Sequence, residues 1–313
     1  MITIKRYNSN DAAAWDAFVD ASKNGTFMLK RGYMDYHTDR FTDHSLLFYR
    51  DEELVALLPA SSHGDELRSH GGLTYGGMIT NLKMTVQLML SLFDSLKEYM
   101  SSNGISRLIY KRVPSIYYSY PSDEDLYALF RNNAILTRRD ISATIYLPNR
   151  IRLSERRRRG VKKALKNGIV VKESSDYQTY IDLVSDVLRI HHNAKPVHTS
   201  TEISLLASRF PENIKLYAAY KDEKMLAGVL MFLTPKVAHA QYIANSEIGR
   251  EYGALDVVMD YLINDYYLKM DYFDFGISTE NDGLFLNEGL ISQKQEFGGR
   301  AISYDFYELK FGL

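Results

Sequence analysis

The chain has 313 residues, 45% hydrophobic and 25% charged, with a formal net charge of −1. That length gives two domains of ordinary size or one large one, with a real core, and the balanced charge makes polyanion binding a matter of a local patch. With no cysteine, disulfides, thiolate-held metals and a thiol nucleophile are excluded; no apolar run reaches membrane-span length and the first residues lack a signal-peptide core, so the expectation is a cytoplasmic protein.

In chain order, the first strong signal is SLLFYRDEELVALLPA (residues 45–60), two apolar runs around a tight polar turn, which predicts a β-hairpin. SHGGLTYGG (69–77) follows, with four glycines and a His70/Tyr75 pair. So much glycine either lets a ligand approach the backbone or serves a turn needing positive φ. Leu88, Leu92, Leu96 and Tyr99 recur at helical spacing before a stop at Asn103-Gly104, and the strand ISRLIYK closes this block.

LPNRIRLS (147–154) marks a boundary, giving expected domains 1–148 and 149–313. The helix after it, SERRRRGVKKALKNG, is N-capped by Ser154 and holds seven basic residues and no acid from Arg156 to Lys166. Arg156, Arg159, Lys163 and Lys166 fall on one side, with Arg157, Val161, Ala164 and Leu165 nearer the other. This is either a solvated face or a site for a phosphate-bearing ligand. HHNAKPVHTSTE (191–202) reads as a loop into a helix start, a lid or a plain connection.

YKDEKMLA (220–227) then echoes YRDEELVA (49–56) at all eight positions, identical or chemically similar, inside a second predicted hairpin. A strand HAQYIA, a helix with Leu255, Val258, Leu262 and Tyr266 in register, and a strand YFDFGI follow, so both halves run hairpin, loop, helix, strand. In the second half, simple alternation puts His239 and Gln241 on one strand face and Tyr242 on the other. The junction EIGREYGALDVV, with Gly249, Arg250, Gly253 and Ala254, is either an anion site at a helix start or a helix start with a turn glycine.

Asp274-Phe275-Gly276 has the letters of a kinase magnesium site, but no glycine-rich loop, strand lysine or His-Arg-Asp precedes it, and a kinase is excluded. The triplet reads as the end of a buried strand, where α/β sheets bind ligands, with Asp274 either a proton acceptor or, the favoured reading, a loop cap. No His-x-x-x-His pattern supports a metal site and no Gly-x-Ser-x-Gly elbow supports a serine hydrolase.

The duplicated unit, the basic RRRRGVKKALKNGIVV segment and the closing YFDFGIS…GL…QKQEFGGR together resemble the Fem-type (FemABX-like) branch of the GNAT acyltransferase superfamily. WDAFVDASKNGTFMLKRGYMDYH is similar to that family's opening helix and loop, and Ile277 stands where the family has a second glycine. The resemblance implies an α/β (α+β) fold of two tandem GNAT-like domains, each a mixed, mostly antiparallel sheet flanked by helices. It implies acyl transfer from acyl-CoA to an amine of an amino-sugar or cell-envelope precursor, or Fem-type transfer from aminoacyl-tRNA, without a metal; a non-catalytic binding protein on the same fold is the other reading. Carried onto this chain, Glu280, Lys294 and His239 are the catalytic candidates, and Gly249, Arg250, Gly253 and Ala254 would hold the donor. Arg156, Arg159, Lys163, His70, Tyr75, Tyr242 and Asn287 would contact the acceptor, a small-molecule or nucleotide-linked amine lying between the domains.

Overall fold

A computed structural model describes residues 1–192 and 195–311, so the expected lid falls partly outside the described residues. The chain forms two compact units, and no single cut separates them. The first takes Met1–Asp140, Glu280–Phe285 and Ser303–Leu313; the second takes Ile141–Thr279 and Leu286–Ile302.

In the first unit, strands Ile2–Arg6, Leu46–Arg50, Glu53–Leu58 and Ile79–Thr80 pair antiparallel in that order. Arg107–Lys111 pairs antiparallel with Arg300–Lys310 and parallel with Glu66–Arg68. Helix Val86–Ser102, capped by the Thr85 side chain, sends Leu88, Leu92, Phe93, Leu96 and Met100 into the core. The predicted spacing is thus the buried stripe.

The second unit orders its strands Val170–Ser174, Ile214–Lys221, Lys224–Leu233, Val237–Asn245, Tyr272–Ile277 and Ile135–Tyr146. All neighbours are antiparallel except Val237–Asn245 with Tyr272–Ile277. Helices Glu155–Lys166 and Ala254–Tyr261 pack on one face, over a core of Val229, Met231, Ala238, Phe273 and Phe275. Tyr180, on helix Tyr177–His192, lies on the other face and donates its hydroxyl to the carbonyls of Gly228 (3.2 Å) and Tyr242 (2.8 Å).

The two hairpins of the sequence echo share more than their letters. Asp51-Glu52 and Asp222-Glu223 both turn through positive φ, the geometry of the tight hairpin turn. Two residues before each turn the register slips, between Phe48 and Tyr49 and between Ala219 and Tyr220, so the same bulge occurs in both copies. Two sequence expectations change. The second-half helix leaves α geometry at Leu262–Tyr266, where it widens to a π turn, so Tyr266 is exposed rather than in the buried stripe. Leu165, expected toward the packed side of the basic helix, is also exposed; Arg157 and Ala164 are the residues it buries.

Candidate active site

The site begins where parallel pairing stops. Val237–Asn245 and Tyr272–Ile277 pair through three positions, ending at His239↔Asp274. Tyr272–Ile277 then slips against Ile135–Tyr146 between Asp274 and Ile277, with Gly276 at φ 75°. A residue without a Cβ enters that region at the least steric cost.

Asp274 is fully buried at this point. An acid inside an apolar strand must be paired, and this one accepts from Ser142 Oγ (2.5 Å) and Thr144 Oγ1 (2.7 Å) and faces His239 Nδ1 at 2.7 Å. Burial alone pushes its pKa up; the hydrogen bond and charge of His239, with both hydroxyls, outweigh that and hold the carboxyl below its ordinary range. The loop-cap role expected for Asp274 is therefore replaced by a buried hub.

A bulge also changes which side chains share a face. Leu230 pairs with Tyr242 but Met231 with Ala240, leaving Gln241 as the extra residue. Phe232 pairs with His239, and Leu230 and Phe232 lie two apart on one strand, so His239 and Tyr242 share a face despite the expected alternation. Tyr242 Oη also meets His198 Nδ1 at 2.8 Å. His198, Ser142 and Thr144 are polar residues of this region that the sequence reading did not select; the legible signal was an aspartate inside an apolar strand.

Lys294 stands on helix Glu288–Glu296, which Asn287 caps by accepting from the Leu290 amide at 3.0 Å. Asn287 thus holds the helix that carries the lysine. Lys294 is 5% exposed, and its ammonium donates to the carbonyls of Gly276 (2.8 Å) and Ile277 (2.7 Å) and to Ser278 Oγ (2.9 Å). Burial lowers its pKa to about 8, against the opposing pull of Asp274. His239 completes the group, since a Cβ on Gly276 would lie 3.4 Å from its Cε1.

A cavity of about 790 Å³ adjoins this group. Lys294, Phe275 and Ile243 line its inner part, and Arg156, Lys163 and Arg250 contribute cations. Val187, from the helix on the other face, also lines it, so the cavity reaches the opening between the parted strands.

Of the expected amide cradle, the Gly249 amide is already engaged: Ser246 accepts from it at 2.9 Å. Gly253, at φ 75°, turns toward the basic helix, where a Cβ would lie 2.4 Å from the Gly160 carbonyl oxygen. Ala254 is buried in the core, and Asp256 adds a carboxylate in the helix's first turn, where an anion would sit. Of the four expected donor residues, Arg250 and Gly253 line the cavity; Gly249 and Ala254 face inward. Arg157 bridges Asp256 Oδ1 and Glu296 Oε2, each at 2.8 Å, and lies over the Phe297 ring, so it holds elements together.

The remaining candidates lie elsewhere. Arg159 is exposed on the basic helix, and Glu280 is exposed on the two-residue strand Thr279–Glu280 and grouped with the first unit. His70 and Tyr75, expected to contact substrate, are both 3% exposed and packed within the first unit. His70 stacks on His37 at 5.1 Å, and burial, followed by the charges of His37 and Lys111, lowers its pKa to about 3. Tyr75 packs on Tyr117 at 4.8 Å. The glycine-rich loop does admit a close approach, but by Lys111, which donates to the carbonyls of Leu73 and Gly71.

Residues 152–282 match the family model described as Acetyltransferase (GNAT) domain. None of the curated proteins matches the sequence. Among solved structures, FemX is similar over 98% of this chain and 97% of its own, at TM-score 0.70 and 12% identity. L-PGS from Bacillus licheniformis is similar over 99% and 94%, at TM-score 0.65 and 11% identity. A tandem GNAT protein from the clavulanic acid biosynthesis pathway covers 100% and 99%, at TM-score 0.56 and 11% identity. At these identities the likeness is one of fold. Residues 152–282 thus match a GNAT acetyltransferase domain, and the chain as a whole shares its fold with FemX and with a tandem GNAT protein.

Proposed function

We propose that the protein transfers an acyl group from acyl-CoA, bound in the second-unit cavity, to an amine of an amino-sugar or cell-envelope precursor. One observation carries this reading: the cavity reaches the place where two parallel strands part, and a buried lysine sits in its wall. In the reaction the amine nitrogen attacks the donor carbonyl carbon. The C–N bond forms, the C–S bond breaks, and its electron pair leaves on sulfur. Negative charge builds on the carbonyl oxygen, and a nearby cation in a water-poor wall stabilises it.

Lys294 supplies that charge. Its three ammonium protons are engaged by Gly276, Ile277 and Ser278, so it acts through its field and by fixing this turn. Donor phosphates would meet side-chain cations at Arg156, Lys163 and Arg250. The acceptor class follows from the Fem-type resemblance.

A second reading has its own support. Arg158, Arg159, Lys162 and Lys166 are exposed along the basic helix and do not line the cavity. A compact donor has no use for them, whereas a long polyanion such as aminoacyl-tRNA does. Thermal denaturation with acetyl-CoA separates the two. The first reading expects a clear rise in Tm at millimolar ligand, and no rise removes it. Steeply salt-dependent tRNA binding that weakens in Arg159→Ala/Lys162→Ala would establish the second.

A further inference from the structure

We propose that His239 is the base that takes the acceptor amine's proton, and that Asp274 is the positioning residue that fixes its ring. The proposal rests on the acyl-transfer reading above and assigns the proton step within it.

Among the described residues, the ring's hydrogen-bond partner is on its Nδ1 side. Nδ1 faces the Asp274 carboxylate at 2.7 Å. An ionised carboxylate only accepts, so Nδ1 carries the proton and Nε2 of the neutral ring keeps its lone pair. Asp274 cannot turn away, because Ser142 and Thr144 both donate to its Oδ1, leaving Oδ2 for the imidazole. Those two residues lie two apart on Ile135–Tyr146, with Thr144 paired directly to Asp274, so the sheet register sets this geometry. The result is a base with a fixed tautomer, oriented by a buried acid.

Its location suits the task. His239 and Asp274 are the last paired residues before the two strands part. The His239 side chain keeps 13% of its surface exposed while Asp274 keeps none. Phe275 and Ile243 line the cavity on the opposite face from His239. A donor carbonyl reaching the opening would thus meet an amine arriving from the His239 side. Nε2 accepts the amine proton as the C–N bond forms, and the imidazolium returns it to the departing thiolate, or to the ribose oxygen if the donor is an aminoacyl ester. Asp274 stays ionised throughout and balances the transient charge.

Nitrogen-15 NMR on histidine-labelled whole protein at pH 8 tests the arrangement without any substrate, with His239→Gln identifying the resonance. The expected result is a neutral ring protonated at Nδ1. A ring protonated at Nε2, or at both nitrogens, overturns the proposal. Asp274→Asn should abolish that preference, and an unchanged tautomer in a folded variant also overturns it.

Turnover is then followed with acetyl-CoA and glucosamine, and with aminoacyl-tRNA and glucosamine. His239→Gln should lower kcat/KM by about 10²–10⁴-fold. Asp274→Asn should lower it less and displace the acid limb of the pH profile, while acetyl-CoA or tRNA affinity stays unchanged in both. Wild-type turnover that His239→Gln retains overturns the base assignment alone. No transfer from either donor by wild type removes the acyl-transfer reading, and the base assignment with it, whatever the tautomer.

Discussion

At the scale of single residues, burial decides what each charged group in the site does. Lys294 is nearly inaccessible and its pKa is lowered to about 8, so its charge is lost within reach of ordinary assays. If that charge supports the reaction, kcat should fall above pH 8, and Lys294→Met should cost about a hundredfold, comparable to loss of an oxyanion donor. The stability effect has a definite sign. Between about pH 8 and the unfolded lysine's pKa near 10.5, the unfolded chain holds more protons, so wild-type stability rises with pH across that window. Urea titrations should therefore show the wild type gaining on Lys294→Met from pH 8 to 10; a constant difference would mean that the amine titrates normally. The lysine was legible from its sequence motif. Asp274 was visible but misread, because nothing local reveals that Ser142 and Thr144, 132 and 130 residues earlier, arrive beside it. The shared face of His239 and Tyr242 was not legible either, since it depends on a bulge that places Gln241 outside the ladder.

At the scale of elements, the basic helix and the helix pair around Gly253 meet in a close joint. Two glycines make it. A Cβ at Gly253 would lie 2.4 Å from the Gly160 carbonyl oxygen, and one at Gly160 would lie 1.9 Å from Asp256 Oδ2. Sequence reading could treat Gly253 as a turn or a phosphate glycine, because both uses favour the same letter; only the partner surface distinguishes them. Gly253→Ala should destabilise the protein by roughly 2–4 kcal/mol, combining left-handed backbone strain with overpacking against another backbone. Thermal melting checks the cost, and a stabilising or neutral result would show that the joint gives way. The hairpins were legible for the opposite reason. Their period-two pattern and two-residue turn are local properties, and the same signal appears in both copies. The π turn at Leu262–Tyr266 breaks a helical pattern that the letters continue, so Tyr266, in register by spacing, is exposed.

At the scale of the molecule, the chain order of the two units does not match their spatial make-up. The first unit needs the last residues of the chain: Phe306, Tyr307, Glu308, Leu309 and Lys310 pair with Lys111 back through Arg107. Leu309 and Phe311 belong to its core, and Tyr304 is 2% exposed and lies 3.3 Å from Tyr117 Oη through its own hydroxyl. Pairing of this range in sequence cannot be read from periodicity, which specifies that a strand exists but not its neighbour. The physical consequence is that the first half of the sequence is not a self-sufficient domain. Ending the chain after Ile302 would leave the Arg107–Lys111 strand without its antiparallel partner and open the core at Leu309 and Phe311. It would also strip Arg139 of Asp305, which it contacts at 2.6 and 2.8 Å. Hydrogen exchange on such a truncated chain should show protection lost at Arg107–Lys111 and along Val86–Ser102, because both pack on the exposed core. Amides of Lys224–Leu233, whose partners Ile214–Lys221 and Val237–Asn245 all lie in the second unit, should keep theirs. Loss of protection at Lys224–Leu233 to the same extent would mean that the two units unfold as one cooperative body.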